Sequence, residues 1–404
     1  MYALCGSHWA TRISPFGLGG RDRAHSRFNR ATLLVTSFLI GCMASAVVCL
    51  AVWHWRHPLF PLVRRSDLTA RQSSHTTPTL RLGGLGIILG LCSAAAIDAR
   101  TGNLLVPLIF AVLPIFVSGL LEDFGLSQSP AMRLAMAGSS GVLAIWILDV
   151  VLPHIGIPIL DPILSLYPAS VAFTLFATTG IVHAFNLVDG LNGFAGFNAL
   201  VVLAALIALA GLADAPELLL PAAALGGAVL GFLLLNFPSG RLFLGDAGAY
   251  TIGFFLAWFA VMVVASDREL TPWAVLLVFF WPVADTFLAI ARRLSKGGRT
   301  ARADRMHAHH VMMRGIQILL LGRQDRNLAN PLASAFLLPL VLPPPLTALL
   351  VWNEPLWAAI ATGLYAVIFV AIYLGGISAM RRARKRLPRR VSTVSGVMAS
   401  AGDD

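Results

Sequence analysis

The chain has 404 residues, of which 57% are hydrophobic and only 12% charged, and its mean hydropathy is +0.78. That balance excludes an ordinary soluble domain and places the chain among membrane proteins. A net charge of +11 would point to nucleic acid in a soluble protein, but in a membrane protein excess arginine marks loops kept in the cytoplasm, so no nucleic-acid partner is expected. Cys5, Cys42, Cys49 and Cys92 follow neither a disulfide framework nor a ligand spacing, and three of them sit in apolar runs, as lipid-facing residues or core filler.

Apolar stretches of about 20 residues, the length that crosses a bilayer core as a helix, fall at 31–53, 83–98, 104–121, 134–153, 167–185, 194–213, 217–236, 247–265, 271–290, 331–352 and 355–378. The second is short and glycine-rich. The predicted fold class is an all-α, polytopic membrane protein of about 11 transmembrane helices. A basic extension, 1–30, precedes the membrane domain 31–378, and a basic then polar tail, 379–404, follows it. With the N-terminus outside, the segments 54–82, 122–133, 186–193, 237–246, 291–330 and the tail are cytoplasmic and hold 23 of the 30 Lys and Arg, while the external loops between helices hold only Arg100 and Arg268. The leader alone favours the opposite orientation, with five arginines before Ala31. It resembles a signal peptide in its basic start, but cleavage there would put the charge-rich side outside. Of the cytoplasmic segments, only 291–330 is long enough to fold on itself.

Six polar clusters fall at cytoplasmic helix ends. The first, His75 to Gly84, ends a basic loop; Arg81 suits phosphate or an interface anchor, and Gly83-Gly84 permit close backbone approach. Glu122-Asp123 closes an apolar helix. Adjacent carboxylates there are repulsive and face the negative end of the helix dipole, so Arg133, a metal, or both should offset them, unless they form a solvated turn. The short loop Phe185 to Gly193 supplies Asn186, Asp189 and Asn192, with Gly190 and Gly193 for tight turns. Asp246 lies between glycines at the start of a helix, as a cap or as a Mg²⁺ ligand. Asp285 lies near the inner end of an apolar helix, as an orienter of a neighbour or an ion-pair partner of Arg292. Last, Asp304-Arg305-Met306-His307-Ala308-His309-His310 has three histidines within four residues but no zinc spacing, and with Arg305 and Arg314 beside them they read as phosphate and sugar contacts or as exposed basic filler.

Together these strings resemble the polyprenyl-phosphate N-acetylhexosamine-1-phosphate transferase family over roughly residues 56 to 315. In that family a helix-end Asp-Asp, an Asn-x-x-Asp-Gly loop, a Gly-Asp-x-Gly loop and a His-x-His-His loop meet at the cytoplasmic surface. Here they correspond to Glu122-Asp123, Asn186 to Gly190, Gly245 to Gly248 and His307 to His310. The departures are Glu122 for Asp, Asn192 for the second Asp of Asp-Gly-x-Asp-Gly, and Ala249 for Ser. They are familiar from the O-antigen-initiating branch, while Asp304 to Arg314 is closer to the GlcNAc-1-phosphate branch than to the branch acting on MurNAc-pentapeptide.

The resemblance implies an enzyme of the inner membrane that moves an N-acetylhexosamine 1-phosphate from a UDP-sugar to polyprenyl phosphate and releases UMP. Its partners would be UDP-N-acetylhexosamine, undecaprenyl or another polyprenyl phosphate and the bilayer, with room for a homodimer. A phosphate monoester has a second pKa near 6, so the acceptor needs no strong base. The demand is for Mg²⁺, with Mn²⁺ as a substitute, and for cationic groups that bring a dianion against a diphosphate. Asp246 is the expected metal ligand and Asp189 a metal or nucleotide contact. Asp123, beside Glu122, would accept the lipid phosphate's last proton or orient it. His75, Arg81, Asn186, Asn192, Arg305, His307, His309 and His310 are the expected substrate contacts. The competing class is a secondary transporter, which concentrates its polar groups near the bilayer midplane rather than at one surface.

Overall fold

The computed structural model describes residues 23–59, 79–295, 306–321 and 326–386, all helix, turn and loop. In chain order the main helices are α1 (Arg23–His54), α2 (Gly83–Ile97), α3 (Ala99–Asp123), α4 (Pro130–Leu148), α5 (Tyr167–Val188), α6 (Phe194–Leu212), α7 (Leu219–Asn236) and α8 (Gly245–Ser266). They are followed by α9 (Pro272–Val278), α10 (Phe280–Ser295), α11 (Ala308–Leu319), α12 (Arg326–Val341), α13 (Pro343–Leu350) and α14 (Pro355–Arg386). Among the described residues nine helical stretches are long and apolar enough to cross a membrane, and the pair α9 and α10 makes a tenth, bent by 82°. The eleventh expected span, α2, has only 15 residues.

The expected single span over 271–290 is therefore broken. Pro282 has no N–H to give to the carbonyl of Val278, where α9 ends, so the hydrogen-bond ladder stops and restarts in a new direction. The expected loop 291–330 folds in part, into the amphipathic helix α11, which carries the histidine cluster.

Helix α8 is the axis of the bundle: its apolar window is entirely buried, and it packs on α2, α3, α5 and α6. Small residues set the closest crossings. Between α1 and α7, a Cβ at Gly41 would strike the backbone of Ala224, and one at Gly231 would strike that of Cys42. Where lipid tails are as apolar as the side chains, such close packing supplies the helix association that hydrophobic burial supplies in water. Cys49 is fully buried here and Cys42 and Cys92 are half-buried, all three as free thiols.

Candidate active site

Helix α3 delivers Glu122 and Asp123 at the negative end of its dipole, and the fold offsets each differently. Asp123 is 1% exposed and its two oxygens accept the N–H groups of Asp246 at 2.9 Å and Ala247 at 3.0 Å. It thus meets the positive end of α8. Glu122 pairs with Arg133 of α4 at 3.4 Å. The crossing requires glycine at position 245, where φ is +77° and a Cβ would strike the Arg81 carbonyl and the Asp123 carboxylate. Gly83 and Gly84 donate their N–H groups to Phe243 and Leu244, both at 2.9 Å, which ties the start of α2 to the start of α8.

With one lone pair of each oxygen held by a backbone N–H, Asp123 fixes the start of α8 and so positions Asp246; a second lone pair on each oxygen stays open for the expected role of accepting or orienting the lipid phosphate's last proton.

The 186–193 loop enters the same place from α5. Asn186 donates its amide to Asp246 Oδ1 at 2.8 Å, leaving its own carbonyl oxygen for a ligand. Burial pushes the Asp189 carboxyl up to about 7, Arg81 opposing and Asp246 adding to the effect. Arg81 also bears on Asp123, so it is a cation shared by Asp123 and Asp189, while Arg133 bears on Asp246 and Glu122. Asn192 is 5% exposed and turned into the packing: its N–H donates to Asn330 Oδ1 at 2.7 Å, its amide to the Pro238 carbonyl at 2.9 Å, and its own carbonyl accepts the Ser334 hydroxyl at 2.7 Å. The fold gives Asn192 a loop-fixing task.

Asp285 of α10, 1% exposed, organises the histidines. Its Oδ1 accepts the Ala308 N–H at 2.9 Å, holding the start of α11, and its Oδ2 lies 3.3 Å from Nδ1 of both His307 and His309. His309 stacks between its neighbours, with ring centroids 5.6 Å from His307 and 4.2 Å from His310. Its buried Nε2 has no hydrogen-bond partner and points to Gly190, where a Cβ would sit 2.5 Å from that nitrogen and 2.9 Å from His310 Cε1. Burial holds His309 below the usual imidazole range, with Asp285 opposing, and pushes His310 down to about 2, helped by the charges of His309, His307 and Arg314. Proton uptake is thus disfavoured at His309 and His310, and fixed positive charge near the acids comes from arginine.

The structure brings together Arg81, Glu122, Asp123, Asn186, Asp189, Asp246, His307, His309 and His310 at one end of the bundle; His75 and Arg305 lie outside the described residues. The Asp285 contacts with both histidines were open as one of two readings. Tyr250 and His183, whose rings meet at 5.5 Å beside Arg133, went unnoticed because a single polar residue in an apolar helix gives no periodic signal. Asn236 was also missed in its role: it accepts the Gly193 N–H at 2.5 Å and donates to the Leu242 carbonyl at 2.8 Å, joining the two loops.

Among the described residues no three His, Cys, Asp or Glu side chains form a ready metal cage. A hard cation such as Mg²⁺ needs only one or two carboxylates, with substrate phosphates and water completing its shell. Asp246, Asp189 and the Asn186 carbonyl could supply an oxygen-only donor set of that kind.

Residues 105–264 match the family described as glycosyl transferase family 4. The chain is 30% identical over 273 residues to decaprenyl-phosphate N-acetylglucosaminephosphotransferase of Mycobacterium leprae, covering 59% of this chain and 67% of that protein. The Mycobacterium tuberculosis H37Rv protein of the same name is 31% identical, with 59% and 66% covered. Undecaprenyl-phosphate alpha-N-acetylglucosaminyl 1-phosphate transferase of Escherichia coli K12 is 27% identical over 239 residues, with 58% and 65% covered. The chain thus spans about two thirds of the length of these relatives. Built on a membrane bundle whose acids, amides and histidines converge at one end, the chain belongs to glycosyl transferase family 4, among the polyprenyl-phosphate N-acetylhexosamine-1-phosphate transferases.

Proposed function

We propose that the chain transfers an N-acetylhexosamine 1-phosphate, with GlcNAc as the first candidate, from its UDP derivative to a polyprenyl phosphate and so starts a cell-envelope glycan such as O-antigen. A phosphate oxygen of the lipid attacks the sugar-bearing phosphorus, the bond to the UMP oxygen breaks, and UMP leaves with the bonding electrons. The observation that carries this reading is the meeting of Asp246, Asp189, Asn186, Arg81 and His309 at one helix-end surface. A transporter reading places such groups near the midplane, whereas the ends of α3 and α5 and the start of α8 carry them here, which supports the transferase reading.

Asp246 and Asp189 would hold Mg²⁺, which when bound screens the diphosphate and steadies the charge gathering on the leaving oxygen. Asp123 fixes the start of α8 and so the direction of Asp246. Arg81 supplies a charge that needs no proton uptake. His309, turned by Asp285, presents Nε2 toward the 189–190 turn, where a neutral imidazole can hydrogen-bond a phosphate or sugar oxygen. By the excess of arginine on that side, the site faces the cytoplasm at the inner membrane.

The test is UMP release by the purified chain with undecaprenyl phosphate and a panel of UDP-sugars, with Mg²⁺, with Mn²⁺ and with chelator. Activity with UDP-GlcNAc or a deoxy derivative that the chelator removes is expected. Turnover only with UDP-MurNAc-pentapeptide would move the chain to the peptidoglycan branch, and no turnover with any UDP-sugar would overturn the reading.

A further inference from the structure

The turn that carries Asp189 and Gly190 is irregular backbone at the end of the span Tyr167–Val188. Such backbone needs a protein partner for every N–H and C=O that packing keeps from water. Helix α12 supplies two of these partners, from 138 and 142 residues away. Asn330 and Ser334, one turn apart and so on one face of α12, are 2% and 0% exposed. Asn330 Oδ1 accepts the Asn192 N–H and the Ser334 hydroxyl donates to the Asn192 carbonyl, both at 2.7 Å, so α12 grips both backbone polar groups of one loop residue. Asn236 and the Pro238 carbonyl hold the same stretch from the α7 side, through the Gly193 N–H and the Asn192 amide.

The adjoining edge of α12 serves the other half of the site. Ala329, Ala333 and Leu337 are buried in one apolar cluster with Met313 and Ile316 of α11, the helix that begins with the histidines. One helix therefore backs both the Asp189 turn and the His309 ring. There is no slack where the two meet, since a Cβ at Gly190 would sit 2.5 Å from His309 Nε2. Asn192 is two residues past Gly190, so a slip at Asn192 reaches that contact. The Nδ2 of Asn330 is buried without a hydrogen-bond partner. An amide that leaves its own N–H groups unmet costs more than a leucine of similar shape, so the acceptor oxygen is what an amide at this position contributes.

We propose that Asn330 and Ser334 are positioning residues for the transfer: they hold the Asp189–Gly190 turn at the separation from His309 that the reacting groups require. This role rests on the reaction assigned above. A tie that served stability alone would leave kcat untouched well below the melting temperature. A tie that sets geometry changes kcat, because a displacement of about 1 Å at a reacting group costs on the order of 100-fold in rate.

The experiment compares the purified full chain with Asn330→Leu, Asn330→Asp and Ser334→Ala. One readout is UMP release with undecaprenyl phosphate and the UDP-sugar that the unmodified chain turns over best, well below each melting temperature. The other is hydrogen–deuterium exchange over residues 186–193, with α8 as the control. In Asn330→Leu, kcat should fall about 10–100-fold with a smaller change in the KM for UDP-sugar, and exchange over 186–193 should quicken while that of α8 does not. Ser334→Ala should change both readouts in the same direction by a smaller factor. Asn330→Asp keeps an oxygen where the Asn192 N–H points and should recover most of the rate, which a loss of packing would not explain. Unchanged kcat in both Asn330→Leu and Ser334→Ala, unchanged exchange over 186–193, or no recovery in Asn330→Asp would each overturn the role. Should Asn330→Leu fail to fold, Ser334→Ala, which removes one hydroxyl and little volume, decides by the same two readouts. An unmodified chain that releases no UMP with any UDP-sugar would overturn the assigned reaction and this role with it, whereas an active chain whose α12 variants keep full rate overturns the positioning role alone.

Discussion

At the scale of residues, the site rests on side chains that hold other side chains. Asp123→Asn keeps the shape but sets an amide N–H against a backbone N–H of α8, so Asp246 shifts and UMP release should fall about 100-fold. The loss should be equal across roughly pH 6 to 8.5, because positioning and not proton uptake is removed. A loss confined to the acid side would favour the proton-acceptor role instead. Asp285→Ala frees both His307 and His309 and unties the Ala308 N–H, at a cost of about 10–100-fold in turnover with a smaller change in the KM for UDP-sugar. Asp285→Glu should recover part of the rate, which a merely structural loss would not. Gly190→Ala puts a methyl group where His309 Nε2 and His310 crowd the turn, so activity should collapse while thermal unfolding stays near that of the unmodified chain. Chemistry-bearing residues such as Asp246, Asn186 and His309 were legible because they come in short strings with glycine. The partner of each, such as Asp285 for His309, lies 24 to 123 residues away and is set by the fold alone.

At the scale of elements, most spans were legible from length and hydropathy, since a run of about 20 apolar residues has few alternatives in a bilayer. The misfit is at 271–290, where hydropathy reads one helix and Pro282 makes two. Hydropathy counts apolar residues and is blind to a missing N–H. The break matters, because α10 carries Asp285 to the start of α11 only in its bent direction. Pro282→Ala restores the missing donor to Val278, favouring a straighter helix by up to about 3 kcal/mol. The expected outcome is a protein at least as resistant to thermal unfolding that turns over about 10-fold more slowly, read by melting curve and UMP release on the same sample. Unchanged turnover would show that the bend is set by packing around Phe279 instead.

At the scale of the whole molecule, the site itself fixes how the chain threads. Gly83 binds Phe243, Asp123 binds the start of α8, Asn186 binds Asp246, and the 190 turn meets His309, so residues 83, 123, 190, 245 and 309 all lie at one end. The start of α2 and the end of α3 can share that end only if α2 counts as a crossing, although 15 residues rise roughly 22 Å against a core of about 30 Å. Counting it, the ends of α10 and α14, with Arg292, Arg293, Arg381 and Arg382, fall on the site's side, and the turns after α4 and α8 fall on the other. The charge bias and the site geometry place the same segments together at one end of the bundle, and the proposal that this end is cytoplasmic rests on the charge bias. The connection before α3 is too short for an insertion, since α2 ends at Ile97 and α3 starts at Ala99, so the turn at Asp267–Arg268 is the place for an external reporter. Reporters fused after Gly298 and Arg390 should read cytoplasmic and one inserted after Arg268 external. A cytoplasmic signal from Arg268 together with external signals from the other two would invert the protein and take the site away from cytoplasmic UDP-sugars. Mixed signals from Gly298 and Arg390 would instead mean that α12, α13 and α14 do not make the two crossings that the fold assigns them.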